Sequence, residues 1–128
     1  MIYNEKVTAD TKLPEIEHNG GMVYFRFDFT TIEREDKKIS WQFNQYVMTE
    51  DEFNDVRVGR YVGEWTDGLR AIQRGYLYSE AEIYIAKYRD DVADPDKLAQ
   101  WIAYKAEVRA TVEQPNYPAV VEYPAEPE

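Results

Sequence analysis

From Met22 the chain alternates: Val23, Phe25, Phe27 and Phe29 fall on one parity and Tyr24, Arg26, Asp28 and Thr30 on the other. That period of two predicts a β-strand with one apolar face. A charged stretch, Glu33 to Lys38, reads as a solvated turn, and beyond it Ile39, Trp41 and Phe43 alternate with Ser40, Gln42 and Asn44. The two runs predict a hairpin over 22–48. Past Asn44 the phase slips, since Gln45 takes the inward place and Tyr46 and Met48 lie on the opposite parity, so a bulge is expected near Asn44 and Gln45.

Helical spacing follows. Thr49 with Glu52 three residues on has the form of a capping box, and Phe53, Val56, Tyr61, Trp65, Leu69 and Ile72 continue at helical steps. Gly59, Gly63 and Gly68 weaken that run, each costing about 1 kcal/mol against alanine inside a helix, so a broken helix is expected. Ser79 and Glu82 repeat the capping-box form ahead of Ala81, Tyr84, Ile85 and Tyr88, predicting a separate short helix that ends at a turn over 90–94. For the last helix, Asp94 suits the N-cap, Pro95 the first turn and Asp96 the positive helix end. Leu98, Trp101, Ile102, Lys105, Val108 and Val112 form its stripe, and Gln114 before Pro115 stops it near Glu113.

The order of elements gives an α+β chain: a small antiparallel hairpin or sheet first, helices after, and an extended proline-rich tail. The expected organisation is an N-terminal arm over 1–21, a single domain over 22–113 with its helices over 50–113, and the tail over 114–128. That segment, an arm or short edge strand, holds Pro14, shows no clean period and ends in a turn at His18-Asn19-Gly20-Gly21. In the tail, Pro115, Pro118, Pro124 and Pro127 bracket Tyr117, Tyr123 and the β-prone run from Ala119 to Tyr123. Prolines restrict such a segment to an edge strand or a polyproline-like path, either covering its own domain or adding to a partner.

Trp101, Tyr104, Val108 and Arg109, then Gln114-Pro115, Tyr117-Pro118 and Val120-Val121-Glu122-Tyr123-Pro124, resemble the C-terminal signature of tail-fibre assembly proteins and related small tail proteins of phages and prophages. The likeness covers about the last 30 residues of the chain, and Tyr123 stands where the signature usually has a tryptophan. It implies a non-enzymatic chaperone or assembly factor that binds a tail-fibre, receptor-binding or baseplate polypeptide in the host cytoplasm, some such proteins staying on the virion tail. A permanent tail or baseplate subunit is the alternative. The partner-contacting residues expected on this basis are Trp101, Tyr104, Tyr117, Val120, Val121 and Tyr123, with a homo-oligomer also compatible.

Composition changes this picture only at its margins. At 128 residues a single core is the default. The net charge of −10, with 15 basic residues interspersed among 25 acidic ones, argues against binding nucleic acid or an acidic membrane surface, and leaves an acidic DNA-mimic inhibitor as a further alternative. Zero cysteines exclude thiolate chemistry, no apolar run reaches the length of about 20 residues that spans a bilayer, and the polar opening lacks the layout of a signal peptide, so cytosolic synthesis is expected. Eleven tyrosines favour protein interfaces.

Catalytic groups are sparse. His18, the one histidine, lies in a turn context and is expected to be an exposed loop residue. The acids from Asp90 to Asp96 lack the central glycine and terminal glutamate of a calcium loop, and Glu50, Asp51 and Glu52 suit the first turn of a helix. Arg57, Arg60, Arg70 and Arg74, interleaved with Asp55, Glu64 and Asp67, read as a solvated face. No nucleophile, cofactor loop or metal site emerges, and no cofactor is expected.

Overall fold

A computed structural model describes residues 1–128. Strands β1 (Ile2–Ala9), β2 (Ile16–Asn19), β3 (Met22–Glu33) and β4 (Ile39–Thr49) precede helices α1 (Glu50–Arg57), α2 (Asp67–Ala86) and α3 (Pro95–Ala110). The fold is α+β. The chain divides into two compact units, Met1–Asp55 and Val56–Glu128.

The first unit is a four-stranded antiparallel sheet in the order β1-β4-β3-β2. The expected arm is therefore two edge strands flanking the hairpin. Directly paired residues share a face, so the pairs Phe25–Tyr46 and Val23–Met48 put those four buried side chains together, with Phe27 stacked on both Phe25 and Tyr46. On the opposite face Arg26 pairs with Gln45, and Phe43 is buried beside them.

The phase slip in β4 has a different origin from the one expected. β4 itself is regular, and the extra residues belong to its neighbours: the registers jump between Phe27 and Thr30 in β3 and between Asn4 and Val7 in β1, both opposite the same point of β4. Each bulge contains a residue in the left-handed region, Asp28 at φ 55° and Lys6 at φ 54°. Asn44, between them, serves both: its Oδ1 accepts from the Lys6 amide at 3.2 Å and its Nδ2 donates to Asp28 at 3.3 Å. One consequence is that Phe29 leaves the Phe25–Phe27 face and packs against Trp41 and Phe43 on the other. A left-handed backbone costs a residue that carries a Cβ about 1–2 kcal/mol, less the entropy glycine gains on unfolding. Lys6→Gly is therefore expected to stabilise the first unit by about 0.5–1 kcal/mol in urea unfolding. Asp28→Gly should give less, because aspartate tolerates this region and Asp28 also loses its bond to Asn44.

Arg26, on the parity opposite Val23, Phe25 and Phe27, is buried and closes the first unit. Because β1 and β2 lie on opposite edges, the connection between them must cross the sheet. Arg26 holds that strap: Nη1 donates to the Pro14 carbonyl at 3.1 Å and to Glu17 at 2.8 Å, Nε donates to Gln45 Oε1 at 2.9 Å, and its amide donates to the Glu15 carbonyl at 2.7 Å. Lys12, on the strap, lies over the rings of Phe29 and Trp41.

In the helices, the Thr49–Glu52 capping box forms reciprocally at 2.9 and 3.1 Å. The expected break occurs between Arg57 and Asp67, a span that holds Gly59 and Gly63. Ser79 starts no helix. It lies within α2, and its hydroxyl donates back to the Gly75 carbonyl at 3.0 Å. α2 runs into a π-type turn over Lys87–Asp91, Asp94 caps α3 by accepting from the Lys97 amide at 3.1 Å, and a 3-10 turn over Thr111–Glu113 ends it before Pro115. The second unit's core is Ala81 and Ile85 of α2 with Trp101, Tyr104 and Val108 of α3.

Candidate functional site

Prolines at 115, 118 and 124 cannot donate backbone hydrogen bonds, so a proline-rich end that folds back needs donors from elsewhere. α2 supplies them. Arg70, buried, donates from Nε to the Pro118 carbonyl at 2.7 Å, from Nη2 to the Ala119 carbonyl at 2.9 Å and from Nη1 to Gln73 Oε1 at 2.9 Å. The planar guanidinium suits adjacent carbonyls, and its face is covered by the Trp65 ring at 4.0 Å. Gln73 Oε1 also accepts from the Tyr123 hydroxyl at 2.8 Å. One turn away, Arg74 donates to the Tyr117 hydroxyl at 2.6 Å, and that hydroxyl donates to Asp67.

The strap also ties itself. Gln114 behaves like a strand partner for Glu122, its Nε2 donating to the Glu122 carbonyl at 2.7 Å and its Oε1 accepting from the Glu122 amide at 2.9 Å. The Val120 amide donates to the Asn116 carbonyl at 3.0 Å, and the Tyr117–Pro118 peptide is cis. Gly59 permits the network beneath: it has φ +79°, and a Cβ there would lie 2.7 Å from Gln73 Nε2.

The C-terminal segment is thus neither a β-strand nor a free tail; it is packed on α2 and α3 of its own unit. Sequence reasoning placed six residues at a partner surface, and the structure separates them. Trp101 and Tyr104 are each 4% exposed in the core, so as folded they offer a partner almost no surface. A Trp101 ring stacked at 4.3 Å on Tyr84 and set edge-on to Tyr104 is a packing element. Tyr117 and Tyr123 are half-buried with their hydroxyls engaged, and Val121 is half-buried. Only Val120, at 59%, faces outward.

A cleft of about 350 Å³ opens beside the strap, lined by Tyr76 and Glu80 of α2, Tyr104 of α3, and Tyr123 and Glu126 of the strap. Loss of solvent and a hydrogen bond to Glu80 raise the Glu126 carboxyl above its ordinary range. Burial, then the Glu126 and Glu80 charges, push the Tyr104 phenol up to about 12. A phenol raised in the folded state contributes stability that is complete below its unfolded value of 10 and is lost as pH climbs from there through about 12. Tyr104→Phe is therefore expected to lose less stability than the parent between those two pH values, read as the difference between their urea midpoints.

Arg70, Arg74 and Asp67 were expected on a solvated face and Gln73 had no assigned role; together they form the latch. The signal available in sequence was indirect: four prolines that remove backbone donors from the tail, and a stripe of side-chain donors at three- and four-residue spacing. His18, expected in a loop, lies in β2 paired with Val23; its ring is exposed, bonded through Nδ1 to Glu50 at 2.7 Å and edge-on to Phe53. In the acidic run, Asp94 caps α3 and Asp90 pairs with Arg89, and no three carboxylate or imidazole groups converge in a way that could hold a metal ion. No helix is long and apolar enough to cross a membrane.

No family model matches this chain, and no curated protein or solved structure shows significant similarity to it.

Proposed function

We propose that this protein is a non-enzymatic binding protein of the phage tail-fibre assembly type, which holds a fibre or baseplate polypeptide during its assembly. The observation that supports the reading most is that the signature residues act as one block. Trp101, Tyr104 and Val108 form the core into which Tyr123 packs, while Gln114 and Tyr117 fasten the proline-rich end. A motif built for packing accords with its carrying no reactive group, and the one histidine, His18, is bonded to Glu50. The role of the six residues is revised accordingly: Trp101 and Tyr104 shape the surface, and Val120 is the one that a client would touch.

Tagged protein expressed in its native host under prophage-inducing conditions should recover a fibre or baseplate chain, identified by mass spectrometry. Val120→Asp should weaken that recovery without unfolding the protein. Specific recovery of a nuclease or polymerase instead would overturn the reading in favour of an acidic inhibitor. Quantifying the protein in purified particles separates an assembly factor, which should be absent, from a permanent subunit.

A further inference from the structure

α2 and α3 are antiparallel neighbours, and the groove between them is lined differently from the rest of the chain. Its floor is Ile85, buried, and its wall carries Ile102, which is 52% exposed, with the small Ala106 one turn on. Around that apolar strip stand Arg89, Lys105 and Arg109 and a single acid, Glu82, already paired with Lys105. A chain with net charge −10 therefore presents a groove of about 290 Å³ with an excess of positive charge over an apolar floor. Arg109 makes no ion pair, and Arg89 pairs only with its exposed neighbour Asp90, its charge also acting on Glu82.

We propose that this groove binds an acidic, amphipathic peptide segment of a partner protein, seating one branched aliphatic side chain on Ile85 and Ile102 and its flanking carboxylates on Arg89 and Arg109. Charge complementarity selects this occupant over a basic one, and the exposed isoleucine selects it over a purely ionic ligand. Ile102 and Arg109 are separated by about 10 Å along α3 at 1.5 Å per residue, so an aliphatic side chain and a carboxylate two helical turns apart on a partner helix match the spacing of the wall. Ala106 supplies the room: a larger side chain there would close the gap between Ile102 and Arg109. This deepens the protein-binding reading by naming a surface and a partner chemistry, and it does not depend on the partner being a fibre protein.

The test uses the full chain and three labelled peptides of equal length: an amphipathic helix with leucines on one face and glutamates flanking them, the same leucine pattern flanked by lysines, and a glutamate peptide without leucines. Fluorescence anisotropy should show binding of the first alone, weakened at least tenfold by the double charge reversal R89E/R109E and also by I102D, and weakened by added salt. Both variants change exposed positions, and a retained melting temperature verifies that each is folded; if either unfolds, chemical-shift changes in the parent protein, confined to residues of this groove, decide the matter. Equal binding of the lysine peptide, equal binding of the leucine-free peptide, or undiminished binding by folded variants would each overturn the proposal, as would tighter binding of a DNA oligonucleotide. Failure here with successful recovery of a fibre protein from the host would leave the functional reading standing and remove only the groove.

Discussion

Replacing Arg70 with methionine is expected to release the C-terminal strap while the α2–α3 core stays folded. The substitution keeps much of the apolar stem under Trp65 but removes the donors to the Pro118 and Ala119 carbonyls and to Gln73. Hydrogen bonds from a charged group are worth about 1.5–3 kcal/mol each, and no neighbouring amide can replace them in a segment punctuated by proline, so a loss of about 2–4 kcal/mol in strap closure follows. Arg70→Lys should recover little of it, since an ammonium cannot span two adjacent carbonyls and Gln73 as a planar fork does. Amide exchange read peptide by peptide is the appropriate measurement: it should quicken across Gln114–Tyr123 in the methionine variant and remain slow in the α3 segment around Trp101.

Trp101→Ala has the opposite distribution of effects. Its ring is buried between Tyr84 and Tyr104, and truncating a buried tryptophan costs about 3–5 kcal/mol, a large part of the stability available to a unit of this size. Thermal or urea unfolding should show the second unit melting early, and Trp101→Phe should restore much of the loss by keeping an aromatic surface against Tyr84. If Trp101 were instead a contact residue for a partner, its truncation would leave stability nearly unchanged and remove binding alone.

The two buried arginines show a common construction. Arg26 with Gln45 in the sheet, and Arg70 with Gln73 in the helical unit, each hold a proline-bearing strap by its carbonyls. Neither was legible in the sequence, because an arginine at a polar position of a strand or helix reads as solvated until the segment that covers it is known. Local signals were read well. Thr49 with Glu52, Asp94 with Pro95, and the alternation through Val23–Phe25–Phe27 depend on neighbours within a few residues, and each produced the element it implies. The edge strands were read only as an arm or one short edge strand, because β1 is largely exposed and carries a bulge at Lys6, so no period survives in it. Ser79 misled because its spacing to Glu82 imitates a cap, whereas α2 had already begun at Asp67 under its true cap, Thr66. The basic groove, too, depends on pairing: Arg89 and Arg109 belong to different helices, and only the antiparallel packing of α2 on α3 brings them to one site.

The central claim is that the proline-rich end is a fastened part of the helical unit, with only Val120 of the six expected contact residues facing outward. Hydrogen exchange of the intact protein tests it most directly at two amides, Val120, bonded to the Asn116 carbonyl, and Glu122, bonded to the Gln114 side chain. Both should exchange far more slowly than the unstructured rate and speed up together in Arg70→Met. Exchange of both at the unstructured rate in the parent protein would contradict the account and return the segment to the free, partner-seeking tail.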